Sequence, residues 1–313
     1  HRYDGFVLPW VLVFILVFSI VALIGVRAAN QGQTLTRAMV GELDRERALI
    51  TAENHAVFQV LTARPVVGGF DLAAQAVTGP DILEAVPKAT SQSSLWSGRA
   101  GQRLDTTGVL VTYQDSRGLV SLNSGAETQI EAVLTGLGVG GMAARQLTAR
   151  LRDYTDADPV RRFQGAEELA YRMVRRRPPA NSPLRTVDEA SMVLGWDEHP
   201  KLWQKNRLHR YVTNAFLGSG MASAFMPDHV SSLFDGQSAL ARARGQRGGA
   251  TAIARPSGQV RLILSLPDGH GTGSGVYERA IAVKRRPNAA DRPFHRFTVY
   301  EGRDDRQINT DGS

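Results

Sequence analysis

Asp153, Asp156, Asp158 and Glu167 form the densest acidic group in the chain. An Asp-x-Asp pair with a nearby Glu supplies hard oxygen ligands of the kind Ca²⁺ takes. The spacing is not that of an EF-hand loop. Arg152, Arg161 and Arg162 stand close enough in sequence to neutralise the same carboxylates, and helix capping is a further use for them. Calcium and arginine pairing are both open at this point.

Leu134-x-Gly136-Leu137-Gly138, followed by Ala144, is similar to a helix-hairpin-helix. In DNA-binding versions the glycine turn lets backbone N–H groups reach phosphate at a helix start. The competing use is a tight turn between packed helices. Residues 123–235 carry fourteen basic and thirteen acidic side chains. A surplus of one cannot supply the phosphate neutralisation that nucleic-acid binding draws on, so no nucleic-acid partner is expected. The run Arg172 to Arg177 reads as a solvated helix face. The seven histidines are scattered, Gly-x-Ser-x-Gly is absent, and nothing marks a catalytic triad. The chain is not read as an enzyme.

The 313 residues leave room for two or three structural units, at 42% hydrophobic and 21% charged. The absence of cysteine excludes a disulfide scaffold and a thiolate zinc site. The formal charge of +7 is uneven: residues 236–313 carry thirteen basic and seven acidic groups, and the rest is near neutral. Mean hydropathy is −0.20, which excludes a polytopic membrane protein.

Phe6 to Val26 contains no charged residue. As a helix it spans roughly 30 Å, enough to cross a bilayer core. A cleaved secretory signal, with Ala28-Ala29 near the cut, is the competing use of such a segment. Against it, the helical pattern continues to Ala63 without a proline, and Leu35, Met39, Leu43, Ile50, Val57 and Leu61 recur at helical spacing. Pro65 ends the run, giving one helix of roughly 87 Å whose second half is amphipathic. Pro9 fits a first helical turn, so the helix is expected to begin near Phe6.

Residues 66–107 read as loops with some short elements. Gly108–Tyr113 and Leu119–Leu122 flank Asp115-Ser116-Arg117-Gly118 and read as a β-hairpin. Helical patterns fill 123–235. Strands are expected at 251–254, 260–266, 277–284 and 294–300, with a flexible glycine-rich turn over 267–275 and a polar tail from Arg303. Strands on both sides of a helical block place that block inside one sheet, with the amphipathic half of the long helix packed across it.

The leader ending in Gly5, then Phe6 and an uncharged span, resembles a type IV pilin-like prepilin. That resemblance implies cleavage between Gly5 and Phe6 by prepilin peptidase and methylation of the new N-terminus. The sequence does not begin with Met, and a longer leader is expected. Trp10 stands where major pilins carry Glu, a departure that suits a subunit with no neighbour above it. Further on come Gly118 to Leu122-Asn123, Leu151-Arg152-Asp153-Tyr154-Thr155-Asp156-Ala157-Asp158, Gly165-Ala166-Glu167 with Tyr171, Ala180 to Leu184, and Tyr211-Val212-Thr213. In order and spacing they resemble the K-type minor pseudopilins of type II secretion systems (general secretion pathway protein K). Tyr154 replaces that family's Trp, and its second Asn-rich segment is degraded here to Ala222–Pro227.

The resemblance implies an α+β fold: a long pilin-like helix on an antiparallel sheet, with a large all-α domain inserted between strands. The expected divisions are a leader remnant (1–5), a membrane-spanning half-helix (6–26) and its amphipathic continuation (27–64). Then come a first part of the head (65–122), the insert (123–235), completing strands (236–302) and a tail (303–313). The implied role is a non-enzymatic subunit at the tip of the pseudopilus, supporting protein export across the outer membrane. Its partners would be the I- and J-type minor pseudopilins, the major pseudopilin and prepilin peptidase. It would cross the inner membrane once, with its bulk in the periplasm. No cofactor is required. Some members of the family hold calcium, which makes Asp153, Asp156, Asp158 and Glu167 candidate ligands. The alternative is a membrane-anchored nucleic-acid binder using the helix-hairpin-helix-like segment.

Overall fold

The computed structural model describes residues 7–75, 91, 93–217, 220–234, 256–267, 276–285 and 294–304. Helix α1 (Val7–Thr62) is 56 residues long, roughly 84 Å. Its first half touches nothing: an 18-residue window has mean hydropathy 2.7 and none of it is buried. Only the last stretch is covered, through Leu49, Ala52, Ala56, Val57 and Val60. Of the helical stripe read from the sequence, Val57 and Leu61 pack in this covered stretch, while Leu35, Met39, Leu43 and Ile50 remain exposed; Leu49, Ala52, Ala56 and Val60 complete the buried face.

The helix stops at Thr62, and Pro65 lies inside β1 (Ala63–Val66) rather than in a loop. Gly68, at φ +84°, turns the chain into β2 (Gly69–Gln75), which β3 (Leu95–Ser97) joins to give three antiparallel strands. Residues 66–107 thus hold short strands, and β4 (Gly101–Leu104) follows. The main sheet has five antiparallel strands in the order β10-β9-β8-β5-β4, with β5 at Leu110–Asp115, β8 at Gln259–Pro267, β9 at Val276–Arg285 and β10 at Phe294–Asp304. These last three strands match the expected positions; β10 runs on into Asp304. The strand expected at 251–254, the glycine-rich turn over 268–275 and the tail from 305 lie outside the described residues.

The expected hairpin at 108–122 does not form. Both edges of β5 are taken, one by β4 and the other by β8, which pairs from Leu110↔Ser265 to Asp115↔Val260. Asp115 instead caps a short 3₁₀ turn at Ser116–Gly118, accepting from Arg117 N. The chain then leaves the sheet. Val120–Ser121, here β6, pairs in parallel with Val212–Thr213, the later β7. Between them lie α2 (Glu127–Gly136), α3 (Gly141–Thr155), α4 (Glu168–Met173), α5 (Pro200–Trp203) and α6 (Arg207–Tyr211); α7 (Asp228–Ser231) follows β7.

Two apolar cores result. One joins α1 to the first face of the sheet through Val111, Tyr113, Val260, Leu262, Leu264, Ile281 and Val283, capped by Phe70 and Trp96 with ring centroids 5.4 Å from Tyr113. The other lies within the helical unit, around Ile130, Leu134, Leu147, Leu151, Tyr171 and Trp196. Strand alternation turns Gln114, Arg261, Glu278 and Ala280 to the second face, where the helical unit packs. Gln114 Nε2 donates to Phe225 O at 2.9 Å, and Arg210 pairs with Glu278 at 2.7 Å. Arg261 donates to the carbonyls of His209 and Val212.

Polar contacts also tie α1 to the sheet's first face. Arg279, 11% exposed, reaches Glu46 and Glu301 at 2.7 Å and approaches Glu53 at 3.9 Å, while Arg45 lies 4.7 Å over the Tyr277 ring. Burial opposes the Arg279 charge, and hydrogen bonds to Glu46 and Glu301 overcome that and raise its pKa. Removing one partner of a mostly buried pair strands the others. Arg279→Met is therefore expected to destabilise the packing of α1 on the sheet by about 1–2 kcal/mol in urea unfolding of the full chain in detergent, since Glu46 and Glu301 keep partial access to water. A loss below about 0.5 kcal/mol would mean that the apolar contacts of Leu49 to Val60 hold α1 alone.

Candidate functional site

The residues that the sequence singled out converge on the opening and closing of the helical unit. Ser121, at the unit's entry, donates through Oγ to Ala215 O at 2.6 Å. Asn123 is fully used: Nδ2 donates to Leu184 O at 2.9 Å and Asn214 O at 2.7 Å, and Oδ1 accepts from Leu184 N at 2.8 Å. One amide side chain thus joins the entry, the 180–184 segment and the exit after β7. Arg152 lies behind it on α3, donating to the carbonyls of Leu122 and Gly125; burial pushes its guanidinium pKa down.

The acidic cluster follows directly. Asp153 is fully buried near the C-terminus of α3 and accepts from Arg162 N at 3.3 Å and from Arg162 Nη1 at 3.3 Å. Arg162 also donates to Asp156. Asp158 points elsewhere and accepts from Val160 N at 2.9 Å, an Asx turn that ends the acidic run. Gly165 sits against Asp153: a Cβ there would lie 1.9 Å from Asp153 Oδ2, so a side chain at this position would displace the carboxylate. Glu167 comes next and is raised above its usual carboxyl range, first by burial and then by Asp153, Asp156 and Asp158. Tyr171 OH accepts from Leu194 N at 3.0 Å, and its ring lies 6.4 Å from that of Tyr154.

The four candidate ligands are neighbours, but they do not close on one point. Asp156 Oδ1 and Glu167 Oε1 are buried without a hydrogen-bond partner, which suits a cation. However, among the described residues no group of three or more His, Cys, Asp or Glu is set to hold a metal ion. Arg162 lies between Asp153 and Asp156. As arranged, the carboxylates are arginine-paired and do not fit a calcium ion without rearrangement. A hollow of about 230 Å³ opens beside them, lined by Asn123, Arg152, Thr155, Asp156, Arg162 and Phe216.

The helix-hairpin-helix-like segment is a packed turn. Leu134, Leu137, Val139 and Ala144 are buried, Gly138 takes φ +95° between α2 and α3, and a Cβ at Gly136 would meet Leu233 at 2.4 Å. The arginine run is not one helix face. Helix α4 ends at Met173, and Arg175 has φ 57° in the turn that follows. The processing pair Gly5 and Phe6 lies outside the described residues.

Residues 109–214 match the family model of the type II secretion system (T2SS) protein K, first domain. The similarity to that family is confined to this segment, about a third of the chain. The segment contains the motif residues whose contacts are described above, and the resemblance read from the sequence holds over it. The crystal structure of the GspK-GspI-GspJ complex from the enterotoxigenic Escherichia coli type 2 secretion system includes a chain 15% identical to this one. The match covers 63% of this chain and 79% of that chain, with a TM-score of 0.42. No curated protein matches the chain.

Sequence reasoning passed over Arg261 and His209. Arg261 is 4% exposed on β8, and burial pushes its pKa down to about 10. His209 is 3% exposed, with Nε2 2.9 Å from Asp188 Oδ1 and its ring edge-on to Tyr300 at 5.6 Å. Burial holds its imidazole below the usual value; Asp188 opposes and Arg261 adds. No local pattern marks either residue, since both belong to a contact between distant segments.

Glu167 gives a pH test. A carboxyl raised in the folded chain contributes stability that is complete below its unfolded value and is lost as pH rises through the folded value. Glu167→Gln keeps the neutral form at every pH. In chelator it is expected to melt roughly 1–2 °C above the unsubstituted chain at pH 7 and level with it near pH 3.5. A lower melting point at pH 7 would show that the charged form has a partner that the geometry does not provide.

Proposed function

We propose that this chain is a K-type minor pseudopilin of a type II secretion system, placed at the tip of the pseudopilus and supporting protein export across the outer membrane. Its role is structural and non-enzymatic. The observation that carries the proposal is one continuous element: an unburied apolar span that runs on as α1 into a head bearing the K-family segment. The span would cross the inner membrane once, leaving the head and helical unit in the periplasm. The exposed Leu35, Met39, Leu43 and Ile50 continue an apolar face beyond the span, suited to the helices of neighbouring subunits. The I- and J-type minor pseudopilins named with GspK in the complex are the proposed neighbours, followed by the major pseudopilin.

The tip position is supported by two features. The helical unit leaves the sheet at Asp115, the end of β5 beside the α1 C-terminus, and folds over the second face, where it would obstruct a subunit stacking above. Trp10 supplies no carboxylate for a neighbour's terminal amine. An unpaired carboxylate in hydrocarbon is costly, so a tip subunit does better without one.

Processing is the direct test. The mature chain is expected to begin at methylated Phe6, and Gly5→Arg is expected to abolish cleavage by prepilin peptidase, both read by mass spectrometry. A mature terminus near Asn30 would identify an ordinary signal peptide and remove the pseudopilin assignment.

Calcium at the acidic cluster is a separate proposal. It requires Arg162 to swing away, and Asp158 to leave its bond to Val160 N, so that ligands among Asp153, Asp156, Asp158 and Glu167 can turn to one ion. A bound cation stabilises the native chain by mass action, about 2.7 kcal/mol at a hundredfold excess over Kd. The full chain in detergent should then melt higher in calcium than in chelator, and Asp156→Ala with Asp158→Ala should remove the difference. Identical curves for the unsubstituted chain leave the arginine-paired arrangement as the working one.

A further inference from the structure

The helical unit has one stretch of surface that its own packing does not explain. Val160 is 69% exposed, Phe163 89%, Leu169 72% and Met173 78%, and Val174 is also exposed. Leu169 and Met173 are four apart on α4 and share a face. Phe163 precedes α4 in the turn whose flanking residues, Arg162 and Glu167, both lie at the Asp153–Asp156 pair. Tyr171 turns inward, with Ala170 partly packed on the same core. Scattered exposed apolar residues are ordinary, but this many large ones within fifteen residues form a patch.

The charge around the patch is mostly positive, although exposed Asp158, in no ion pair among the described residues, lies at its edge and accepts from Val160 N at 2.9 Å. Arg162 is held by Asp153 and Asp156, Arg172 by Glu168 at 2.5 Å, and Arg176 by Asp197 at 2.9 Å. Arg161, Arg175 and Arg177 are exposed and make no ion pair among the described residues. Glu167 turns inward to the acidic cluster, where its charge is disfavoured. The patch therefore presents large apolar side chains rimmed by uncompensated guanidinium groups. An occupant of complementary chemistry carries apolar residues and carboxylates together.

A lipid surface fits that description less well than a protein segment. Strand β8 runs from Leu266, whose partner Tyr277 stacks beneath Arg45 of α1, to Val260 beside Asp115 at the opposite end of the sheet. Arg45 is itself 19 residues beyond Val26, roughly 28 Å along the helix. The helical unit departs from the end of the sheet farther from the apolar span. We propose that Phe163, Leu169 and Met173, rimmed by Arg161, Arg175 and Arg177, form a docking surface for an acidic amphipathic peptide segment of a partner protein. This stands on the helical unit alone and does not depend on where the chain sits in an assembly.

The test uses the full chain in detergent micelles and a labelled 14-residue peptide that places Leu and Phe on one helical face and Glu on the other. The control peptide replaces every Glu with Lys. The Glu peptide is expected to bind at micromolar Kd, the Lys peptide at least tenfold more weakly, and binding should weaken as salt rises. Phe163→Ser with Met173→Ser, and separately Arg175→Glu with Arg177→Glu, should each weaken binding about tenfold while melting as the unsubstituted chain does. Equal binding of both peptides, binding untouched by either pair of changes, or no binding of the Glu peptide would overturn the proposal. So would a chain reconstituted in neutral lipid that captures phosphatidylglycerol vesicles through Arg175 and Arg177 while ignoring the peptide.

Discussion

Strands β5 and β8 are hydrogen-bonded neighbours along their length, yet residues 116–258 separate them in sequence. Everything inserted between them must leave and return at one end of one sheet. Loop-closure entropy opposes holding the ends of so long a segment together, though its growth with length is slow, so a few well-placed contacts suffice to offset it. The entry and exit contacts are therefore where the motif residues are concentrated. β6 pairs with β7, Ser121 bonds the backbone beyond it, and Asn123 satisfies three backbone groups from two distant segments. Gly118 belongs to the same closure, since a Cβ there would sit 1.9 Å from Phe225 O. The residues around 118–123 and 211–213 thus serve the closure of the helical unit.

The second requirement is that the closed unit stay fixed to the sheet. An apolar contact alone would allow sliding. Arg261 instead projects from a central strand and donates to two carbonyls at the end of α6, inside a buried interface. Its charge costs solvation, visible in the pKa lowered to about 10, and the two carbonyl acceptors offset part of that cost. His209, beside it, is held toward the neutral form by burial, with Arg261 adding to that and Asp188 opposing it. Directional bonds at a buried position fix orientation as well as distance, which a helical unit needs if its outer surface is to face a defined way.

How much of this was legible in the residues follows from whether the signal was local. The span and the helix after it were readable because twenty-one uncharged residues and a proline-free continuation leave few alternatives. The three C-terminal strands were readable from alternation, as in Val260-Arg261-Leu262-Ile263-Leu264. The alternation even encoded which face meets α1, although nothing local said that Arg261 would be buried. The hairpin failed for the same reason: Leu119 to Leu122 look like a strand, but both edges of β5 were already committed to partners, one of them far along the chain. Likewise the end of the α1 stripe, Val57 and Leu61, packs as its pattern indicates, whereas Ala52 and Ala56 on the packed face give a weak hydrophobic signal, and Leu35, Met39 and Leu43 lie on the exposed part of the helix before the head. At the acidic cluster the residue types and the arginine pairing were legible, but not which of Arg152, Arg161 and Arg162 would pair, because Arg162 reaches Asp153 across a turn whose shape depends on Gly165.

These facts locate function on surfaces. The interior polar groups are mostly committed: Asn123 and Arg152 to closure, Asp153 to Arg162 and Arg261 to the sheet. Groups so engaged are poor candidates for turnover chemistry, because a reacting group must exchange partners, and each of these would leave buried acceptors unsatisfied if it moved. What the fold leaves free is of another kind. It leaves an apolar helix face extending away from the head, and an apolar and cationic patch on the outer side of the helical unit. Burial of apolar area and satisfaction of unpaired charge are the driving forces of association. A chain that expends its buried polar groups on rigidity and leaves apolar groups on two separate surfaces has the form that the proposed subunit role requires. The closure contacts at Asn123 and the sheet contact at Arg261 set the relation of the helical unit to the sheet.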